Sequence, residues 1–371
     1  MLKSFLKLIL NVIDYLIENY SKSYLFKLKR FLLGITAKVI FVVEEHSWAI
    51  ELVGKYITEN LKNMNLINTE ITTPHIFKNK IIHFGSINCF ATMNELYKPH
   101  KSNKIVLTWF HISPIDKRIK LIPIINKYVD VVHTSNSITA NQLKHYGFDE
   151  KKIVIIPIGI DLTAFKPFNS KKREEIKKKY NIPKDKIVIG SFQKDGVGWG
   201  EGLEPKFIKG PDILCEVIRR IHNDFDIHVF LTGPARGYVK KKLEEYDIPY
   251  THVFFENYLD IVECYNVLDL YLITSRVEGG PQAILEGMAT GVPIITTKVG
   301  MAPEIVKNKI NGFITEVEDV DTLYLYSAEI IKNKELRKRI ITNGLKAVKN
   351  YGWETIARSY FEKIYIKLLE N

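Results

Sequence analysis

Cysteine is scarce in this chain of 371 residues: Cys89, Cys215 and Cys264 stand far apart, with no Cys-x-x-Cys pair among them. That argues against a disulfide framework or a zinc ribbon, fits a reducing cytoplasm and leaves the thiols to fill apolar sites. Long apolar runs are missing as well. Lys7 and Asp14 break the apolar N-terminal stretch before the roughly 20 residues that a membrane-spanning helix needs. No small-residue cleavage site follows, so a secretory leader is not expected. Internal repeats and low-complexity tracts are absent apart from a glycine-rich insert at 196–202.

Acidic residues are the minority among the charges. Against 42 Asp and Glu stand 53 Lys and Arg, a net charge of +11 that favours anionic partners such as nucleotide phosphates or anionic lipid heads. Nucleic acid is set aside, because the charge is spread and no aromatic-basic platform or recognition motif appears. The apolar share of 46% with 26% charged residues is that of a soluble globular protein, and the length suits two domains.

Residues 2–18 place Lys3, Lys7, Asn11, Asp14 and Glu18 on one stripe of a helix whose remaining surface is apolar. Lys22, Lys27, Lys29 and Arg30 follow. Residues 1–37 thus form a basic amphipathic extension, and residues 1–35 have two open readings. The segment packs on its own domain, or it lies on an anionic membrane surface. The expected location is the cytoplasm, peripheral on the inner face of the membrane in the second case.

From Lys38 onward β-branched runs alternate with helical stretches. Strands are expected at 39–43, 81–84, 105–110, 129–135 and 152–157, with helices such as 48–64 and 137–146 between them. Nearly continuous apolar strands in such alternation imply a parallel sheet covered on both faces. The stretch PIGIDLTAFKP (157–167) breaks the series. A second series begins at 186–192 and continues through 226–233, 269–275, 292–297 and 312–316. A helix at 353–369 closes the chain. The expected domains are 38–160 and 161–350, with 351–371 returning to the first. Two doubly wound domains would face each other across a cleft at the carboxyl ends of their strands, where ligands of open parallel sheets bind.

One stretch concentrates chemistry. In EGGPQAILE, Glu278 and Glu286 are separated by seven residues, after a buried-type strand and across the start of a helix. Pro281 suits a first helical turn and Gly291 a helix end. The helix N-terminus beside Gly279 and Gly280 would offer backbone N–H groups and partial positive charge to a phosphate. Gln282 and Glu286 lie four apart on one face, with Glu286 deeper and suited to accept hydrogen bonds from sugar hydroxyls. Glu278 would face the cleft.

The run SRVEGGPQAILEGMATGVPIITTKVGMAPEIV resembles the E-x7-E signature of retaining glycosyltransferases of family four, which have the GT-B fold. VIIPIGIDLTAFKP is similar to their interdomain segment, and YGWETIARSYFEKIY to their terminal helix. The likeness covers residues 150–371 well and 38–150 loosely. It implies transfer of a sugar from a nucleotide-diphosphate donor to a sugar or lipid-linked acceptor hydroxyl with retention, in glycan, glycolipid or surface polysaccharide synthesis. The same fold also carries nucleotide-sugar epimerases and phosphorylases, and a catalytically silent sugar-nucleotide-binding or membrane-associated module is the remaining alternative.

The resemblance implies that Glu278 contacts the transferred sugar and Glu286 the ribose hydroxyls, with the backbone at Gly279, Gly280 and Gln282 near sugar and diphosphate. A commoner family form has Phe-Gly where this chain has Gly280-Pro281, and proline brings no N–H. Lys194 in GSFQKDG and Lys209 in IKGPDIL match the two basic residues that hold the diphosphate. Fixed cations there stabilise the charge of the leaving group as it grows. Gly190, at the head of GSFQKDG, joins the donor-binding set. Arg236 in TGPARGY is a third basic candidate, equally suited to pairing with an acidic side chain.

In the first domain His111 follows the strand IVLTWF and matches the family's histidine that contacts the donor sugar, although His46, His83 and His133 also end strands. Trp48 is a candidate acceptor platform or a core anchor. The Asp-x-Asp at 319–321 resembles a metal motif of another glycosyltransferase fold. Asp321 reads better as a helix N-cap, and neither a metal nor another cofactor is expected.

Overall fold

The computed structural model describes residues 9, 10, 13, 22–44, 48–72, 77–92, 95–113 and 115–370. Most of the amphipathic stretch 2–18 and the strand-end histidine at 46 lie outside the described residues. The chain divides into two units, Met1–Pro157 with Trp353–Asn371, and Ile158–Gly352.

Each unit is built on one parallel six-stranded sheet. In the first, β1 (Val39–Val42), β2 (Thr69–Ile71), β3 (Ile81–Phe84), β4 (Lys104–Thr108), β5 (Val131–Thr134) and β6 (Ile153–Ile155) lie in the order β2-β1-β3-β4-β5-β6. The second holds β7 (Ile187–Ser191), β8 (Ile227–Thr232), β9 (Tyr250–Val253), β10 (Leu270–Ile273), β11 (Ile294–Thr297) and β12 (Phe313–Thr315). Their order is β12-β11-β10-β7-β8-β9. Both orders reverse direction beside the first strand of the unit, the doubly wound arrangement that the alternation implies.

Central strands such as β8 and β10 are buried at every residue, which is why they read as unbroken apolar runs. The two strands that sequence reading misses, β2 and β9, both lie at sheet edges. TEI is three residues long, and YTHV is half-buried throughout with polar residues at its centre. An edge strand pairs on one side only, so its apolar signal is weaker.

Helix Lys22–Thr36, from the basic extension, packs on its own unit. Phe31 meets Phe77 with ring centroids 5.6 Å apart. A Cβ on Gly34 would come within 2.6 Å of Phe77 Cζ.

The last helical run, Trp353–Tyr360, passes through a π-helical turn at Phe361–Tyr365 into Ile366–Glu370. A π turn closes i to i+5. Here that insertion brings Tyr360 and Tyr365 to two buried histidines of the first sheet. His83 Nδ1 lies 2.6 Å from the Tyr365 hydroxyl, and His83 Nε2 2.8 Å from Thr108 Oγ1. Thr108 Oγ1 is 3.0 Å from His133 Nδ1, and His133 Nε2 2.9 Å from the Ile156 carbonyl. Tyr360 Oη reaches His133 Nε2 at 3.0 Å. Burial lowers both imidazole pKa values, His133 to about 4 and His83 well below its ordinary value, with His133 adding to the effect on His83. These two histidines are neutral struts. Trp353 adds a stacked contact with Tyr56, ring centroids 5.1 Å apart.

Cys215 and Cys264 are buried, and burial pushes the Cys215 thiol up to about 12.

Candidate functional site

The second unit assembles the charged residues around the carboxyl ends of β7 and β10. After β10, Thr274 and Ser275 are buried, and a loop leads to the helix Gln282–Thr290. Gly291 ends that helix with φ of 77°, a left-handed conformation that glycine adopts freely. Pro281 stands one place earlier than expected. With φ −67° and ψ 92° it is the extended N-cap rather than the first helical residue, and no side chain caps the helix. The leading N–H groups therefore come from Gln282 onward.

Glu278 lies in the loop before this helix, and the Lys209 ammonium is 2.6 Å from its Oε1. The Ser275 hydroxyl donates to the same oxygen at 2.9 Å. Gln193 Nε2 donates to the Lys209 carbonyl at 2.9 Å, which ties the loop after β7 to the same spot. The pair remains partly open, with Lys209 23% and Glu278 15% exposed.

Lys209 is held by local necessity. Gly210, the next residue, has φ of +64°, and a Cβ there would sit 1.9 Å from the Thr274 carbonyl oxygen. Thr274 Oγ1 donates back to the Gly210 carbonyl at 2.8 Å. Only glycine permits this approach, and Pro211 then opens the helix Pro211–Asp224. Arg276 locks the far side. It pairs with Asp212 at 2.8 Å and Glu318 at 2.5 Å, and donates to the Phe207 carbonyl at 2.7 Å. Burial alone would raise the Asp212 carboxyl, but the Arg276 hydrogen bonds outweigh it and hold the group below its usual range.

Lys206 is the basic residue that sequence reading missed. Burial lowers its pKa first, and the nearby Lys209 and Lys194 charges lower it further, against the pull of Glu278. Lys206 therefore lies within reach of the charges of Lys194, Lys209 and Glu278, with Lys209 in direct contact with Glu278. Pro205 and Phe207 flank Lys206 and mask any spacing signal; the fold supplies its place. Lys194 lies over the Trp199 ring, 4.1 Å from its centroid.

Glu286 is buried within the helix. The Tyr265 hydroxyl donates to its Oε2 at 2.7 Å, and the Tyr258 hydroxyl donates to Oε1. Burial raises the carboxyl pKa, and the two tyrosines oppose that rise. Neither tyrosine was a sequence candidate.

The expectations at Arg236 and Asp321 are corrected, and the glycines have packing neighbours of their own. Arg236 does not face a ligand: its side chain and that of Asp195 are both 0% exposed, with Nε 2.9 Å from Oδ1. Its Nη1 donates to the Ser191 carbonyl at 2.6 Å and the Thr232 carbonyl at 2.9 Å. Gly190 lies inside β7 between β8 and β10, and a Cβ there would sit 2.3 Å from Leu268 Cδ1. Its lack of a side chain serves sheet packing. Gly280 likewise makes room for Ile158, 2.6 Å from where its Cβ would be. Gly279 is approached by Gly300, whose Cβ would lie 2.7 Å from the Gly279 carbonyl oxygen. The helix cap predicted at Asp321 is Asp319, which accepts from the Thr322 N–H at 2.9 Å, whereas Asp321 pairs with Arg220 at 2.5 Å.

In the first unit His111 is exposed, three residues past the end of β4. Its charge acts on Asp116, whose carboxyl is held below its usual range as the Arg118 hydrogen bonds outweigh burial. Trp48 begins the helix Trp48–Asn63, and its side chain lies outside the described residues. Among the described residues, no group of three or more His, Cys, Asp and Glu side chains could hold a metal ion.

Residues 172–347 match the model of the glycosyl transferases group 1. That region contains Lys194, Lys206, Lys209, Glu278 and Glu286. An uncharacterized glycosyltransferase of Methanocaldococcus jannaschii is 30% identical over 165 residues, 43% of this chain and 45% of that protein. The Campylobacter jejuni N,N'-diacetylbacillosaminyl-diphospho-undecaprenol alpha-1,3-N-acetylgalactosaminyltransferase is 25% identical over 239 residues, 64% of this chain and 60% of the other. The chain spans about half the length of the curated relatives it matches. Among solved structures, Anabaena HepE in complex with UDP and glucose superposes with a TM-score of 0.68 at 17% identity. That match covers 88% of this chain and 99% of the other. At that identity the likeness shows the fold, an α/β architecture of two doubly wound domains shared with GT-B glycosyltransferases.

Proposed function

We propose that this chain is a retaining glycosyltransferase of family four, moving a sugar from a nucleotide-diphosphate sugar to an acceptor hydroxyl. The observation that carries the reading is the Lys209–Glu278 pair at 2.6 Å, set before a helix N-terminus and flanked by Lys194 and Lys206. A dianionic diphosphate would find three cations and the N–H groups from Gln282 onward there. Lys209 would exchange Glu278 for phosphate oxygen, freeing Glu278 to accept hydrogen bonds from the transferred sugar. Glu286 would bind ribose hydroxyls, one of which takes over the hydrogen bond now made by Tyr258. His111 would orient the donor sugar, and Trp48 would meet the acceptor. In the transfer itself the bond from the anomeric carbon to the diphosphate oxygen breaks. The acceptor oxygen bonds to that carbon on the same face, and its proton passes to the leaving phosphate oxygen. Diphosphate charge is carried by lysines, with no metal or other cofactor assigned a role.

The group 1 match and the relatives' names support this class of reaction, and HepE was crystallised with UDP and glucose. Two relatives are named for diphosphoundecaprenol-linked substrates, which supports a lipid-linked acceptor in glycolipid or surface polysaccharide synthesis. Among the described residues no helix is long and apolar enough to cross a membrane.

The test is a thermal-shift screen of nucleotide sugars followed by transfer assays. A selective donor should raise the melting temperature, because it binds only the folded state. Absence of any stabilising donor, or full transfer by both Glu278→Ala and Lys209→Ala, would overturn the reading.

A further inference from the structure

The surface of the first unit between residues 115 and 128 combines protruding apolar side chains with cations that have no structural task. Ile115 is 88% exposed, and Ile124 and Tyr128 are 45% exposed. The segment is a 3-10 turn at Lys117–Leu121 running into the helix Ile122–Tyr128. In a 3-10 turn residues three apart eclipse one another, which aligns Lys117 with Lys120. Helical spacing continues that stripe through Ile124, Lys127 and Tyr128. Ile122, Ile125 and Val129 form the opposite face and are fully buried in the core of the unit. The outward stripe is therefore fixed in orientation.

The base of the segment is clamped. Arg118 Nε and Nη2 donate to the Asp116 carboxylate at 2.9 and 2.8 Å, and Arg118 Nη1 donates to Asn88 Oδ1. This pair neutralises Asp116. Asp130, just past the segment, accepts from the Ile105 N–H at 2.6 Å. Among the described residues none forms an ion pair with Lys117, Lys120 or Lys127. Lys98 adds a fourth ammonium, 5.5 Å from the centre of the Tyr128 ring.

We infer that this stripe of Ile115, Lys117, Lys120, Ile124, Lys127 and Tyr128 is a docking surface for an anionic bilayer. Isoleucine and tyrosine would enter the headgroup boundary while the ammonium groups meet lipid phosphates, the division of labour of interfacial helices. Charge complementarity selects this occupant, since four uncompensated cations around apolar tips repel a second copy of the same surface. The assignment differs from attachment through residues 1–35, whose described helix Lys22–Thr36 packs on its own sheet. His111 lies close enough to Asp116 for its charge to act there, so the same face adjoins the residue proposed to orient the sugar.

Vesicle binding is measured on the full chain without donor, so its outcome is independent of the transfer reading. Co-sedimentation should show at least about tenfold stronger partitioning into vesicles rich in phosphatidylglycerol than into pure phosphatidylcholine, weakening with salt. Lys117→Glu/Lys120→Glu/Lys127→Glu and, separately, Ile115→Ser/Ile124→Ser should each lower partitioning by about tenfold at unchanged melting temperature. Two results would overturn the inference: no preference of the unaltered chain for the anionic vesicles, or undiminished binding by both folded variants. The second would assign attachment elsewhere, residues 1–35 included.

Discussion

Arg236–Asp195 and Lys209–Glu278 are both cation–carboxylate pairs of the second unit, and in sequence both basic residues compete for the same diphosphate. In the structure they differ in one respect that decides their use. The first pair is 0% exposed on both sides and is surrounded by the carbonyls of Ser191 and Thr232. The second keeps 23% and 15% of its side chains exposed, with Lys194 and Lys206 nearby. A buried pair cannot trade partners without leaving a charge in a low-dielectric interior. A partly solvated pair can, at small cost. Burial separates a strut from a site that can receive a ligand.

The largest effect tests the strut. Arg236→Met alone should destabilise the fold by about 3–5 kcal/mol, because Asp195 stays buried and uncompensated. Adding Asp195→Leu should recover most of that loss in urea denaturation. A loss below about 1 kcal/mol for the single variant would mean that Arg236 is not a strut.

The site pair should behave in the opposite way. Lys209→Ala is expected to change stability by at most about 1 kcal/mol, yet to lower sugar transfer by about 100-fold or more. Steady-state rates beside melting curves check both halves, and a fall in melting temperature without loss of transfer would break the comparison.

Acid sharpens the contrast in the first unit. The folded pKa of His133 is about 4 against an ordinary 6.5, so the unfolded chain binds more protons between those values. The stability it contributes is complete above about pH 6.5 and is lost as pH falls toward about 4. From about pH 7 to pH 5 its share is about 2 kcal/mol. His228 and His252 of the second unit also have lowered pKa values, so the readout is the difference between the unaltered chain and His133→Asn. The variant should show the shallower pH slope of the urea midpoint.

The smallest effect concerns Lys194. An exposed cation–π contact contributes about 0.5–1 kcal/mol, so Trp199→Ala should weaken nucleotide-sugar binding by only a few fold, measured calorimetrically. A loss as large as that of Lys209→Ala would make Trp199 part of the binding site itself.

Much of this was legible in the sequence because it depends on local patterns. The central strands of both sheets announce themselves by unbroken apolar runs. Glu278 and Glu286 are found from strand, Gly-Gly-Pro turn and helix falling in order. Edge strands β2 and β9 escape because one-sided pairing leaves a weaker apolar pattern. Lys206, Tyr258 and Tyr265 escape for a different reason, since their partners lie elsewhere along the chain and no spacing announces them.

Arg236 shows the limit most plainly. An arginine after a Gly-Pro turn carries the same sequence signal whether it faces a ligand or a buried carboxylate. The sequence alone determined two doubly wound units, a charged loop before a helix and two glutamates seven residues apart across that helix start. Tertiary packing alone decided that Leu268 and Ile158 fill the space above two glycines, that Asp195 claims Arg236, and that Lys206 falls within range of the charges on Lys194, Lys209 and Glu278. The physical reason is that desolvation and close packing depend on what surrounds a residue in space, which short-range pattern does not encode.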